Sequence, residues 1–334
     1  MRGNVLPISR RHWMQTTAAT VCSGLACHPL KAADPGKAQI AITLDLEMSR
    51  NFPKWNDTHW DYEKGNLDDA SKQYALAAGQ KVEEYGSHIH YFCVGQTLEQ
   101  PDVSWLTSLA RAGHPIGNHT YDHVYLLAET TQQLQYRFRR SPWLIAGRSI
   151  REVIRENIRM TTLALQQRAA VDDEGFRTPG GFRQGLKERR DLQEMLIELG
   201  FSWVSSLYPK HANTPPGQKP DKAVLQDLVD SHAQAQPFVY PSGLVEIPMS
   251  PISDIGAFRN GRWKLEWFLE AVERLVRWSI EHRAVYDFLA HPSCLGVVDP
   301  ELKTIEMICE LVKEAGDAAE LVDLNQIANS VTPS

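Results

Sequence analysis

Short apolar runs recur along this chain, and between them lie segments with helical periodicity. The runs at 39–44, 88–94, 202–205, 244–248, 285–290 and 320–324 are four to seven residues long, the length of buried strands rather than of helices. The intervening stretches at 68–85, 103–112, 129–140, 150–170, 186–199, 265–282 and 300–315 read as helices. Asp68 or Asp69 stands where a helix cap is wanted, and Gly113 and Gly200 stand where helices close. Strands that alternate with helices need crossover connections, so they pair in parallel under a helical layer. Polar residues follow the strand ends repeatedly, as catalytic residues do at one face of a β/α barrel. The stretches 51–69 and 209–220, rich in polar, aromatic or Pro and Gly residues, read as loops.

The bulk properties narrow the class. A chain of 334 residues with 43% hydrophobic content can fill one large core or two ordinary domains. A formal charge of −6 and a pI near 6.1 argue against nucleic-acid binding. No run reaches the ~18 apolar residues that a membrane span needs. The N-terminus carries a twin arginine in Ser9-Arg-Arg-His-Trp-Met-Gln15. A mild apolar stretch at 16–26 follows, then Leu30-Lys-Ala-Ala33. This pattern resembles a twin-arginine export signal over 1–33, and implies export to the periplasm with a catalytic domain at 38–330. Gly24, three residues before Cys27, argues against lipidation of that cysteine. Of five cysteines, Cys93, Cys294 and Cys309 lie beyond the signal at irregular spacing, which does not make a disulfide framework.

One segment concentrates the chemistry. His114-Pro-Ile-Gly-Asn-His-Thr-Tyr-Asp-His123 places His119 and His123 four residues apart. On a helical turn that spacing puts both rings on one face, as half of a metal site. In a chain with 12 His the spacing alone decides little, so a third ligand is needed. Asp45-Leu-Glu47 follows the first strand, and residues i and i+2 of an extended chain share a side. One carboxylate can complete a three-ligand site, and the other can act as a base. Arg177, in Phe-Arg-Thr-Pro, can pair with the base carboxylate and hold it ionised. His291, after the strand at 285–290, can protonate a leaving group.

Taken in order, Thr43-Leu-Asp-Leu-Glu47, His114 to His123, Phe176-Arg-Thr-Pro179 and Phe288-Leu-Ala-His291 resemble motifs of the polysaccharide deacetylases. These are the NodB-homology enzymes of carbohydrate esterase family four. Ile89-His-Tyr-Phe-Cys-Val-Gly95 is similar to the family's second strand, and the resemblance spans roughly 40–324. It implies a distorted (β/α) barrel with about seven parallel strands. It also implies a divalent metal, usually Zn2+, held by Glu47, His119 and His123. Asp45 would be the base toward a metal-activated water, Arg177 its support and His291 the acid. The reverse roles for Asp45 and Glu47 stay open. The implied reaction removes acetyl groups from an N- or O-acetylated glycan such as chitooligosaccharide or peptidoglycan.

The sequence departs from the family at two places. Most members have adjacent acids in the first motif, whereas here Leu46 separates Asp45 from Glu47. The fourth motif, an Asp and a Trp that support the catalytic His, is poorly represented. Trp203 stands as its remnant, with Ser205 and Ser206 where an acid is expected, and Asp254 is a substitute. Two other functions fit the same residues: a cyclic-amide hydrolase of the allantoinase-like branch, or a decayed glycan-binding barrel. Trp55, Trp60 and Tyr62 would stack on sugar rings in the last case.

Overall fold

A computed structural model describes residues 36–331. The export signal expected at 1–33, with Cys22 and Cys27, lies outside the described residues. The strands are β1 (Ala38–Leu46), β2 (His90–Cys93), β3 (Ile116–Asn118), β4 (Phe176–Phe182), β5 (Trp203–Leu207), β6 (Phe238–Val239), β7 (Val245–Glu246), β8 (Val285–Ala290) and β9 (Ala319–Leu321). They form one sheet in the order β6-β7-β5-β4-β3-β2-β1-β8, with β9 added on β1. Seven of these strands, from β7 through β1 to β8, run in a parallel arc, and only β6 is antiparallel to its neighbour.

Ser250, just past β7, joins the two ends of the arc. Its amide donates to the Asp287 carbonyl at 2.9 Å, and its hydroxyl accepts from the Leu289 amide at 3.3 Å. The sheet is therefore curled into a distorted β/α barrel. Strand β1 is its centre. It pairs along one edge with β8, and along the other first with β9 at Ala38–Ile40 and then with β2 at Thr43–Leu46. Eight of its nine residues are buried, which is why it reads as a nearly continuous apolar run.

The covering helices follow their apolar stripes. Helix Leu265–His282 buries Phe268, Ala271, Val272, Leu275, Val276 and Ser279, a stripe at three- and four-residue spacing. Helix Asp69–Glu83 starts where Asp68 accepts the Ser71 amide at 2.8 Å. Among the described residues no helix is long and apolar enough to cross a membrane. Cys93, Cys294 and Cys309 are buried and unpaired.

Several elements differ from the sequence reading. The helix expected at 129–140 is broken into Thr131–Leu134 and Tyr136–Arg140. Gln135 between them is extended, and its side chain donates to the Asp61 carbonyl at 2.6 Å, a tertiary bond that a continuous helix would forfeit. Helix Lys222–Gln234, capped by Asp221, lies in a stretch left unassigned after the loop at 209–220. A short helix, Pro292–Val298, follows β8 directly.

The packing below the strand ends is tight at Gly175. Its φ is +80°, and a Cβ there would sit 1.8 Å from Trp203 Cζ2. Both the backbone conformation and the space exclude a side chain. Gly175→Ala is expected to lose about 2–4 kcal/mol of stability, read as a lowered urea midpoint. An unchanged midpoint would show that Trp203 yields freely.

Candidate metal and acid–base site

In a parallel arc every strand points its C-terminal end to the same face, so residues far apart in sequence converge there. Asp45 and Glu47 leave the end of β1. The Glu47 amide donates back to the Asp45 carbonyl at 2.9 Å, and both side chains are buried and line one cleft. His119 and His123 follow β3, but not on a helix as the spacing suggested. Thr120 and His123 both have φ of +57°. The loop holds this shape because Asn118 Oδ1 accepts the Thr120 amide (3.0 Å), Thr120 Oγ1 accepts the Val124 amide (2.9 Å) and Asn157 Oδ1 accepts the Asp122 amide (2.7 Å). Side chains take the place of helical bonds, and the two rings still meet, with centroids 5.0 Å apart.

Glu47, His119 and His123 each present one ligand atom, all within 4.8 Å of one another. His119 Nδ1 faces the Arg177 carbonyl at 2.9 Å and must donate to it, which leaves Nε2 with its lone pair toward the carboxylates. Burial, more than its neighbours, lowers the His119 pKa to about 4 and keeps the ring neutral. Burial opposes ionisation of Glu47, but His123 and Lys64 outweigh it and hold the acid well below its usual range. Lys64 Nζ donates to Glu47 Oε1 at 2.8 Å. The other oxygen, Oε2, is buried and receives no hydrogen bond. It lies against His123 Nε2 and 3.8 Å from His119 Nε2. A carboxylate oxygen and two imidazole nitrogens that face one another fit a divalent cation.

Arg177 on β4 is wholly buried. Its Nη1 donates to Thr43 Oγ1 (2.7 Å) and Asp45 Oδ1 (3.1 Å), and its Nη2 to Ser205 Oγ (3.2 Å) and to Asp287 Oδ2. Its guanidinium carbon also lies 4.3 Å from the centre of the Phe92 ring. Asp287 accepts Thr43 Oγ1 at 2.7 Å, and burial, against the pull of Arg177, pushes its pKa up to about 6. His291 follows β8. Its Nδ1 donates to Asp254 Oδ1 and its amide to Asp254 Oδ2, both at 2.8 Å. Burial works against a charged His291, but Asp254 and the site carboxylates outweigh it and raise the pKa. The free Nε2 stands 3.7 Å from Glu47 Oε1 and 3.9 Å from Asp45 Oδ2.

Trp203 does not orient His291. Its indole packs over Gly175 and beside His90 and Phe92, and Nε1 donates to Asn325 at 2.9 Å. Ser205 serves Arg177, and Ser206 donates to the buried Glu246. Asp254, well outside the fourth-motif region, is what holds His291. Trp55, Trp60 and Tyr62 do not line the cleft. Sequence reading missed Lys64, which lies in a loop without periodicity. It also missed Asp287, although a charge inside the apolar run Val285-Tyr-Asp-Phe-Leu-Ala290 was a usable signal. The cleft over the site encloses about 990 Å³.

Comparison with known proteins fits this arrangement. The family model described as polysaccharide deacetylase matches residues 66–200. No curated protein matches the chain. A Mycobacterium smegmatis structure described as a polysaccharide deacetylase is 20% identical, with TM-score 0.58, over 89% of this chain and 91% of that one. A Pseudomonas aeruginosa PAO1 structure of the same description is 13% identical, with TM-score 0.56, over 88% and 91%. The structure of Puue allantoinase is 15% identical, with TM-score 0.54 and 89% of this chain covered and 91% of that one. At these identities the likeness is one of fold. Over residues 66–200, which hold the motifs at His114–His123 and Phe176–Pro179, the chain matches the polysaccharide deacetylase model, and its barrel is the fold of proteins so described.

Proposed function

We propose that the protein is a metal-dependent deacetylase of acetylated glycans. The observation that carries this reading is the ligand trio Glu47, His119 and His123, flanked by Asp45 and His291, each with its own buried anchor. A divalent cation held by the trio, zinc by its donor set, supplies Lewis acidity that polarises a carbonyl and acidifies water. The remaining work falls to the chain. Asp45, tied through Oδ1 to Arg177, keeps Oδ2 free to take a proton from the attacking water. His291, whose pKa Asp254 raises against burial, has Nε2 free to give a proton to the departing nitrogen. The C–N bond breaks, and acetate and a free amine leave. On an O-acetyl group the same proton goes to the alcohol oxygen.

A cleft of about 990 Å³ is at the upper end of ligand-pocket sizes and suits an oligosaccharide better than a single small cyclic amide. Export through the segment at 1–33 is consistent with a polymer substrate. Cell fractionation should find the processed chain in the periplasm, and a chain confined to the cytosol would remove export from the reading.

His123→Ala and Glu47→Gln are expected to lose bound metal on dialysis. Both should also lower acetate release from chitooligosaccharide, peptidoglycan or acetylated xylan by about a thousandfold or more. A fully active His123→Ala protein would overturn the site. Asp254 raises the His291 pKa, and the acid must be protonated to act. Asp254→Asn should therefore lower that pKa, so activity fails at a lower pH on the alkaline side. A pH–rate profile with an unmoved alkaline limb would show that His291 is not the acid.

A further inference from the structure

The cleft does not share the charge of the chain. The protein has a formal charge of −6, yet the acids lining the cleft are all paired with cations. Asp45 is bound by Arg177 at 3.1 Å, Glu47 by Lys64 at 2.8 Å and Asp61 by Arg50 at 2.7 Å. No other carboxylate lines the cleft among the described residues. Three more cations do line it: Arg183, Lys210 and Arg259. None of them forms an ion pair with a carboxylate among the described residues.

These cations do not come from one basic loop. Arg183 follows β4, Lys210 follows β5, and Arg259 lies in the turn Ile255–Asn260 that begins beside Asp254. Three separate strand-end segments therefore bring unmatched positive charge to one concavity. Arg259 is the most constrained. It is half-buried, and its Nε has only Asn260 Oδ1 as partner, at 3.3 Å. Burial, the leading influence, holds its pKa below the usual arginine range against the opposing pull of Glu47. A half-buried guanidinium without a carboxylate has unused planar donors that match a carboxylate ligand. An excess of one sign of charge in a cleft also concentrates ligands of the other sign.

We infer that the cleft selects an acidic glycan, one whose repeating unit carries a carboxylate beside the acetamide, with Arg259 as the recognition residue and Arg183 and Lys210 extending the same subsite. This rests on the deacetylase reading and narrows its substrate to anionic polymers.

The test is calorimetric titration of the full metal-loaded protein with two tetrasaccharides. One alternates N-acetylglucosamine with glucuronate, and the other is neutral chitotetraose. At low salt the acidic tetrasaccharide should bind about tenfold or more tightly. Its advantage should shrink in about 0.5 M salt, where surface charges are screened. Arg259→Gln should remove most of the advantage, and Arg259→Lys, which keeps the charge, should retain part of it. Equal affinity for the two sugars, a preference untouched by Arg259→Gln, or no binding of the acidic sugar would each overturn the inference. Acetate release from both sugars separates this result from the wider reading. Equal turnover of the two would overturn the acidic preference and leave deacetylation standing. A binding preference without acetate from either would uphold the subsite and count against deacetylation.

Discussion

A guanidinium buried at the centre of a barrel is stable only if every neighbour is placed to receive it, because an unpaired buried charge costs several kcal/mol. Arg177 sets that condition here. Its donors reach Thr43 and Asp45 on β1, Ser205 on β5 and Asp287 on β8, and its flat face rests on Phe92 of β2. One side chain on β4 thus fixes the level of four other strands. Its carbonyl also holds His119 in the required tautomer. The same residue that makes the inside of the barrel electrically consistent positions the proposed base, Asp45, and one metal-ligand candidate, His119. Stability and site geometry are coupled at Arg177, so a substitution there cannot separate them.

The other reactive groups follow a common pattern. Each has one atom tied to a buried partner and another left free toward the cleft. Asp45 is held through Oδ1, His291 through Nδ1, His119 through Nδ1 and Glu47 through Oε1 by Lys64. Each tie removes rotational freedom before any ligand arrives, and so lowers the cost of assembling the site around it. Asp254 is the most efficient of these anchors, since it grips both the ring and the backbone amide of His291.

What the sequence made legible was local. The central strands read clearly because a strand buried on both faces is a short apolar run, and 285–290 matches β8 residue for residue. The polar residues after those runs read clearly because the end of a parallel strand is where a site is built. Of the pairings across the fold, the motifs carried Arg177 with Asp45 and Asp254 with His291, but not Lys64 with Glu47. Lys64 stands 17 residues from Glu47, and nothing in its own surroundings marks it as a partner. The His119 and His123 spacing suggested a helix, because the bonds that shape the loop come from Asn118, Thr120 and Asn157 side chains rather than from periodic backbone bonds. Helix Lys222–Gln234 escaped notice after a loop rich in Pro and Gly, although Asp221 is a proper cap.

The altered first motif takes on a different meaning in three dimensions. Adjacent acids on an extended strand would point to opposite faces, and one would need a bend in the backbone to reach the site. Here Leu46 occupies the intervening position and is fully buried in the main hydrophobic core, while Asp45 and Glu47 both line the cleft. The inserted leucine therefore does not cost the site a carboxylate. It lets β1 run straight to its end and anchors that end in the core between the two acids. Lys64 then neutralises the added burial of Glu47 at one oxygen and leaves the other toward the imidazoles. A site drifting out of use has no reason to keep two buried carboxylates, since each carries a desolvation cost that only its partners offset. The buried acids and their dedicated cations support the proposed deacetylase reading.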